Sequence, residues 1–175
     1  VIHSLTKLLS GHSDALLGYV SARTAEMNRA LNDTVVTWGL TPSPFDCWLA
    51  ERGLATFELR YDRAESNAAK LADALAGAKG VKSVLYPGRS DHPDRNRAGD
   101  LLNGRNGNMV SFTLDGGRDK VNRFLRAAEH IAFAPTLGDV GTTLSHPASS
   151  SHRGLTEAER LALSIEEGFI RVSVG

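Results

Sequence analysis

Cysteine is nearly absent: the 175 residues contain one, Cys47, which rules out an internal disulfide and fits a reducing, cytoplasmic setting. An excess of either charge is absent too. Lys and Arg number 20 and so do Asp and Glu, for a formal net charge of +0. The broad positive field that gathers nucleic acid or an anionic membrane surface is therefore missing. No apolar run approaches the roughly 20 residues that span a bilayer, and Val1 to Ser10 lacks the basic-then-apolar order of a signal peptide. Neither an internal repeat nor a heptad pattern occurs. The expected partners are thus small molecules and other subunits, with no nucleic acid and no membrane.

What is present reads as globular. A hydrophobic share of 41% and a charged share of 23% are ordinary for a folded chain, and the length suits one domain or one with part of another. Val in place of Met at position 1, and an end at Ser173-Val174-Gly175 inside a strand-like run, predict a trimmed piece of a longer protein.

Thr24 to Val36 sets Met27, Leu31, Val35 and Val36 near helical spacing. Ser43, Pro44 and Asp46 form a helix start: a capping hydroxyl, a proline where no N–H is needed, and an acid at the positive end of the dipole. That helix should run through Phe45, Leu49 and Arg52. Ala64, Ala68, Leu71, Ala72 and Leu75 make an apolar stripe three and four residues apart, predicting a helix that ends at Gly77 and bridges two domains. Val81 to Tyr86 reads as a strand closed by Pro87-Gly88. The polar stretch Arg89 to Asn108 should hold a short helix or touch a ligand, since long structureless loops are uncommon. Met109 to Leu114 alternates as a strand before the Asp115-Gly116-Gly117 turn, and Val121, Phe124, Leu125 and Ala128 mark a helix. Ile131 to Ala134 and Thr142 to Ser145 are short strand candidates, Thr156 with Glu159 is a capping box, and Phe169 to Val174 is the last strand. The second half is expected to be α+β.

The residues suited to chemistry cluster at the start, His3-Ser4-Leu5-Thr6-Lys7-Leu8-Leu9-Ser10-Gly11-His12-Ser13-Asp14. Hydroxyls at Ser4 and Thr6 can serve a phosphate, and a partly desolvated lysine amine can attack an aldehyde. By spacing alone, Lys7 reads better as a solvated surface group. His146 and His152, even with His92 or His130, lack the Cys or carboxylate spacing of a metal site, so no metal is expected. Asp14 and Asp139 read as caps or backbone-orienting groups. Cys47, on an apolar helix face, is expected to be a buried small hydrophobe, and Trp38 and Trp48 to be packing residues or subunit contacts.

The ordered series of motifs changes the weight of Lys7. Ser4, Thr6, Lys7, Gly11, His12 and Asp14 match a Ser-x-Thr-Lys run followed by Gly-His-x-Asp. After it come Ser43-Pro44-Phe45-Asp46, Arg52-Gly53-Leu54, Tyr86-Pro87-Gly88 with His92-Pro93, and Met109-Val110-Ser111-Phe112. Leu137-Gly138-Asp139, His146-Pro147-Ala148, Ser151-His152 and Arg171-Val172-Ser173-Val174-Gly175 close the series. In this order the whole chain resembles the pyridoxal phosphate (PLP) enzymes of cysteine and methionine metabolism.

The resemblance implies an α/β chain of fold-type I: residues 1–60 as the end of a large PLP-binding domain, and residues 61–175 as a smaller α+β C-terminal domain. It implies pyridoxal 5'-phosphate as cofactor, Lys7 as the lysine that carries it, and Ser4 and Thr6 at its phosphate. Arg171 would bind the substrate α-carboxylate, a task suited to a planar guanidinium, with Thr136 beside it where relatives often have serine. The implied reaction is elimination or replacement at the γ (or β) carbon of a sulfur amino acid or homoserine ester, as in cystathionine γ-synthase and γ-lyase. Cystathionine β-lyase and methionine γ-lyase chemistry are alternatives, and a catalytically silent PLP-fold domain is the non-enzyme one. A homotetramer, a dimer of dimers, is also implied. Pro135 and Gly141 depart from polar or acidic residues common in the family and leave side-chain specificity open. Ser10 and Ala55 replace commoner residues too.

Overall fold

A computed structural model describes residues 1–175, which divide into two units, Val1–Leu59 and Arg60–Gly175. In the first, strand β1 (Ile2–Ser4) pairs antiparallel with β2 (Gly18–Val20), Ser4 facing Gly18. A tight turn over Leu5–Leu9 follows β1 directly. Helix α1 (Ala25–Thr37) starts where Thr24 accepts a hydrogen bond from the Met27 N–H, and α2 (Pro44–Leu54) where Ser43 accepts one from Asp46 N–H. Both are hydroxyl caps that satisfy N–H groups the first turn cannot pair internally. The α2 face that is buried carries small residues, Ala50 and Gly53.

Helix α3 (Phe57–Ala76) begins at the end of the first unit, seven residues before the alanine stripe, and its Arg60–Ala76 part belongs to the second. The order then runs β3 (Val81–Leu85), α4 (Arg95–Leu102), β4 (Met109–Leu114), α5 (Gly117–Ala127), β5 (Ala132–Phe133), β6 (Thr143–Ser145), α6 (Glu157–Ala162) and β7 (Phe169–Ser173). Gly77 does not end α3 in the left-handed conformation; that conformation is taken by Gly80, with φ 88°. Helix α4 is the short helix expected in the polar stretch, and the Thr156–Glu159 capping box is formed in both directions.

The five strands are ordered β3-β4-β7-β6-β5, all antiparallel except β5 with β6. Side chains alternate across a sheet. Val110, Phe112 and Leu114 of β4, Ile170 and Val172 of β7, and Leu144 of β6 share the core with Ala68 and Ala72 of α3 and Val121 of α5. Both alanines are fully buried, and their small size lets α3 lie close to the sheet. The alternate residues Ser111, Thr113, Thr143, Ser145, Arg171 and Ser173 belong to the opposite face. An amphipathic sheet therefore gives its helix side to stability and its other side to polar groups.

Candidate active site

Lys7 sits in a turn whose shape is fixed by Leu17. The Leu5 and Thr6 N–H groups both donate to the Leu17 carbonyl, at 3.0 and 3.2 Å. The Thr6 hydroxyl donates to that same carbonyl at 3.2 Å and accepts from Leu17 N–H at 3.0 Å. Lys7 itself leaves the helical conformation, with φ −92° and ψ −135°, and its carbonyl accepts from Gly11 N–H at 2.8 Å. The residue is partly buried, while Ser4, at the end of β1, is exposed and makes no capping bond.

Behind the turn lies Ser10, 1% exposed. Its carbonyl is 2.7 Å from His12 Nδ1, and because a carbonyl only accepts, that nitrogen carries the proton. A polar cavity of about 210 Å³, lined by His12, Asp14, Leu49, Arg52, Gly53 and Thr56, adjoins it. Asp14 thus faces a cavity and caps no helix.

In the second unit, Arg171 stands at the middle of the polar sheet face, opposite Ser111 of β4 and Ser145 of β6. Arg171 Nη2 donates to the Thr136 carbonyl at 3.2 Å. Its Nε is buried without a hydrogen-bond partner, as are the hydroxyls of Ser145 and Thr143. Buried polar groups are nearly always paired, so three unmatched polar atoms side by side set this part of the sheet face apart from the apolar core on its other side. The segment carrying Thr136 is held by Gly138 N–H, which donates to Ser173 Oγ at 2.9 Å, and by Asp139, whose carboxylate accepts from Gly141 N–H at 2.7 Å. Asp139 is therefore a backbone-orienting group. An apolar cleft of about 490 Å³, lined partly by Phe112, Leu144 and Val172, belongs to the helix side of the sheet, away from Arg171.

The structure thus brings Arg171 and Thr136 together, and separately sets Thr6 and Lys7 in one turn with Ser4 at the strand end that leads into it. Ser111, Thr143 and Ser145, the neighbours of Arg171, were not singled out from the sequence, although the alternation of serine and threonine with aliphatic residues in these strands was their signal. The histidines are structural or exposed: His146, 1% exposed, places Nε2 2.9 Å from the Glu167 carbonyl and Nδ1 2.9 Å from Ser149 Oγ. Burial pushes its pKa below the ordinary histidine value. Glu167, salt-bridged to Arg118 and Arg160 at 2.7 and 2.6 Å, titrates below the usual glutamate range, chiefly through the Arg118 hydrogen bond. No group of three or more His, Cys, Asp or Glu is placed to hold a metal ion.

One expectation is corrected. Cys47 is exposed, because the α2 face that is buried is that of Ala50 and Gly53. Trp38 and Trp48 are 76% and 50% exposed; Trp48 stacks on Phe45 at 5.8 Å and carries Arg52 4.9 Å from its ring centre, so it packs locally on its own helix.

Residues 1–175 match the family described as Cys/Met metabolism PLP-dependent enzyme. The chain belongs to this family. Cystathionine beta-lyase of Bacillus subtilis (strain 168) is 36% identical over 175 residues, all of this chain and 44% of the relative. Among solved structures, cystathionine gamma synthase from Xanthomonas oryzae pv. oryzae, in complex with aminoacrylate and cysteine, superposes with TM-score 0.90 at 38% identity, covering 100% of this chain and 45% of the other. Cystathionine gamma-lyase from yeast superposes with TM-score 0.93 at 35% identity, with coverages of 100% and 45%. The chain thus has the fold-type I architecture of these PLP enzymes and spans under half the length of the relatives it matches.

Proposed function

We propose that the full-length protein is a PLP-dependent lyase or transferase of cysteine and methionine metabolism. It acts by elimination or replacement at the γ carbon of a sulfur amino acid or homoserine ester, with β-elimination as the alternative. The observation that carries this reading is the clasped turn that exposes Ser4 and half-buries Lys7, in a chain that matches the family along its whole length.

The residues present fit the cofactor. Lys7 offers a partly buried amine that enters none of the chain's salt bridges, which suits covalent attachment to an aldehyde. Ser4 offers an uncapped hydroxyl for a phosphate oxygen. Thr6 fits less directly: its one proton is given to Leu17, so it would serve a phosphate only by exchanging that bond, and its present work is to hold the turn. When bound, pyridoxal phosphate supplies an electron sink for bonds broken at the substrate Cα.

Around that chemistry the chain's own groups bind and move protons. Arg171, braced by the Thr136 carbonyl, directs its remaining N–H groups to the substrate carboxylate, two parallel bonds fixing the orientation of the Cα–H bond. The Thr136 hydroxyl stands beside the same carboxylate. The Lys7 amine would take the Cα proton, the role of a positioned base, and the β or γ substituent would depart with its bonding electron pair. Exposed apolar residues of the first unit, among them Ile2, Leu16, Trp38 and Phe45, support assembly into a homotetramer built from dimers, and the single cysteine supports a cytoplasmic location.

The absorbance spectrum of the full-length protein tests the reading. A band near the visible edge that disappears in Lys7→Ala is expected; no band in the wild type would favour a catalytically silent domain. With cystathionine as substrate, release of 2-oxobutyrate supports γ-specific chemistry and release of pyruvate overturns it.

A further inference from the structure

We infer that Gly53 is a positioning residue for Lys7: helix α2 lacks a side chain there so that its backbone can seat the turn that presents the amine. The inference rests on the PLP reading above. A Cβ built on Gly53 would lie 2.3 Å from the Ser10 carbonyl oxygen, 2.6 Å from Ser10 Cα and 2.8 Å from its carbonyl carbon. All three are main-chain atoms, so no rotamer change relieves the contact. Gly53 does not have a positive φ, and within a helix alanine is intrinsically favoured over glycine. Space, not backbone conformation, is therefore what glycine supplies here.

The displaced atoms lead directly to Lys7. Ser10 is buried, its N–H donates to the Leu5 carbonyl at 3.0 Å, and its hydroxyl lies 3.5 Å from the Lys7 carbonyl. Gly11 N–H holds that same Lys7 carbonyl, and His12 Nδ1 holds the Ser10 oxygen that a Cβ would strike. Ala50, one turn earlier on α2, is 3% exposed and also small. Moving Ser10 outward must loosen or rotate the Leu5–Gly11 turn, and with it the direction of the Lys7 side chain.

The test compares wild type, Gly53→Ala and, as control, Gly99→Ala in α4, where a Cβ would meet nothing within 4 Å. Two quantities are read in the full-length protein: amide hydrogen exchange over residues 5–11 without cofactor, and the pH midpoint of the cofactor absorbance band. Gly53→Ala is expected to speed exchange by about tenfold or more and to move the midpoint by about half a pH unit or more, because the environment of the amine changes. Gly99→Ala should do neither. Faster exchange with an unmoved midpoint makes Gly53 merely structural and overturns the inference, as does no change in either. Should Gly53→Ala fail to fold in plain buffer, both readings are taken for all three proteins in sucrose, which favours the compact state, and the same outcomes support or overturn the inference; a Gly53→Ala chain that stays unfolded there makes Gly53 merely structural and overturns it. A wild type without any band sinks the PLP reading, and exchange alone then decides whether Gly53 holds the turn.

Discussion

Replacing Arg171 by lysine keeps the positive charge and removes the fork. In the structure one guanidinium N–H is committed to the Thr136 carbonyl, and Nε is buried with no partner. A carboxylate arriving at the remaining guanidinium N–H groups would gain two charge-assisted bonds. A lysine ammonium at the same position can offer one such bond while it replaces the brace to Thr136. Loss of one hydrogen bond to a charged group costs about 1.5–3 kcal/mol, so the dissociation constant of an amino-acid inhibitor should rise about 10- to 150-fold in Arg171→Lys. The assay is a titration of the full-length enzyme, following its absorbance band, with the inhibitor and with the corresponding amine that lacks the carboxylate. The cycle isolates the carboxylate contribution: the amine should bind wild type and variant alike. Equal weakening of both ligands would mean general distortion of the site, and unchanged binding of both would refute the carboxylate role outright.

Thr136→Ala should weaken the same inhibitor less than Arg171→Lys, because the contact to Arg171 comes from the Thr136 main chain; steady-state KM values compare them. Tyr86→Phe should lower stability by about 1 kcal/mol, read from urea midpoints, since the buried Tyr86 hydroxyl donates to the Gly107 carbonyl at 3.1 Å and would leave it unpaired. Burial first, and then the Glu65 charge, push that hydroxyl's pKa up to about 12, so it remains a donor across the neutral range. His146 makes the second unit acid-sensitive. Its folded pKa lies below its unfolded one, the unfolded chain therefore binds the proton first, and stability should fall as pH drops below about 6.5. Urea midpoints at pH 7.5 and 5.5 should differ more in wild type than in His146→Asn. Glu65→Gln should loosen the segment around Asn106, whose N–H it accepts along with that of Gly107 at 2.9 Å and Arg105 Nε at 2.8 Å; faster amide exchange at 106–107 would show it.

Local signals were enough for most elements. Ser43-Pro44 and Thr156 with Glu159 start helices by short-range hydrogen bonds that depend on neighbours within four residues, and the alternation in β4 and β7 states which side chains share a face. The order of motifs from Ser4 to Arg171 was enough to identify the family, because so many residue types in one fixed order along the whole chain form a far more specific signal than any single motif. What tertiary structure decided was how those types are used. Thr6 spends its proton on Leu17, Cys47 turns outward because smaller residues take the inner face of α2, and Arg171 meets Ser111 and Ser145 from strands far away in the chain. The space denied to a side chain at Gly53 depends on Ser10, 43 positions earlier. Contacts of that kind arise from register and close approach between separate elements, which no local pattern encodes.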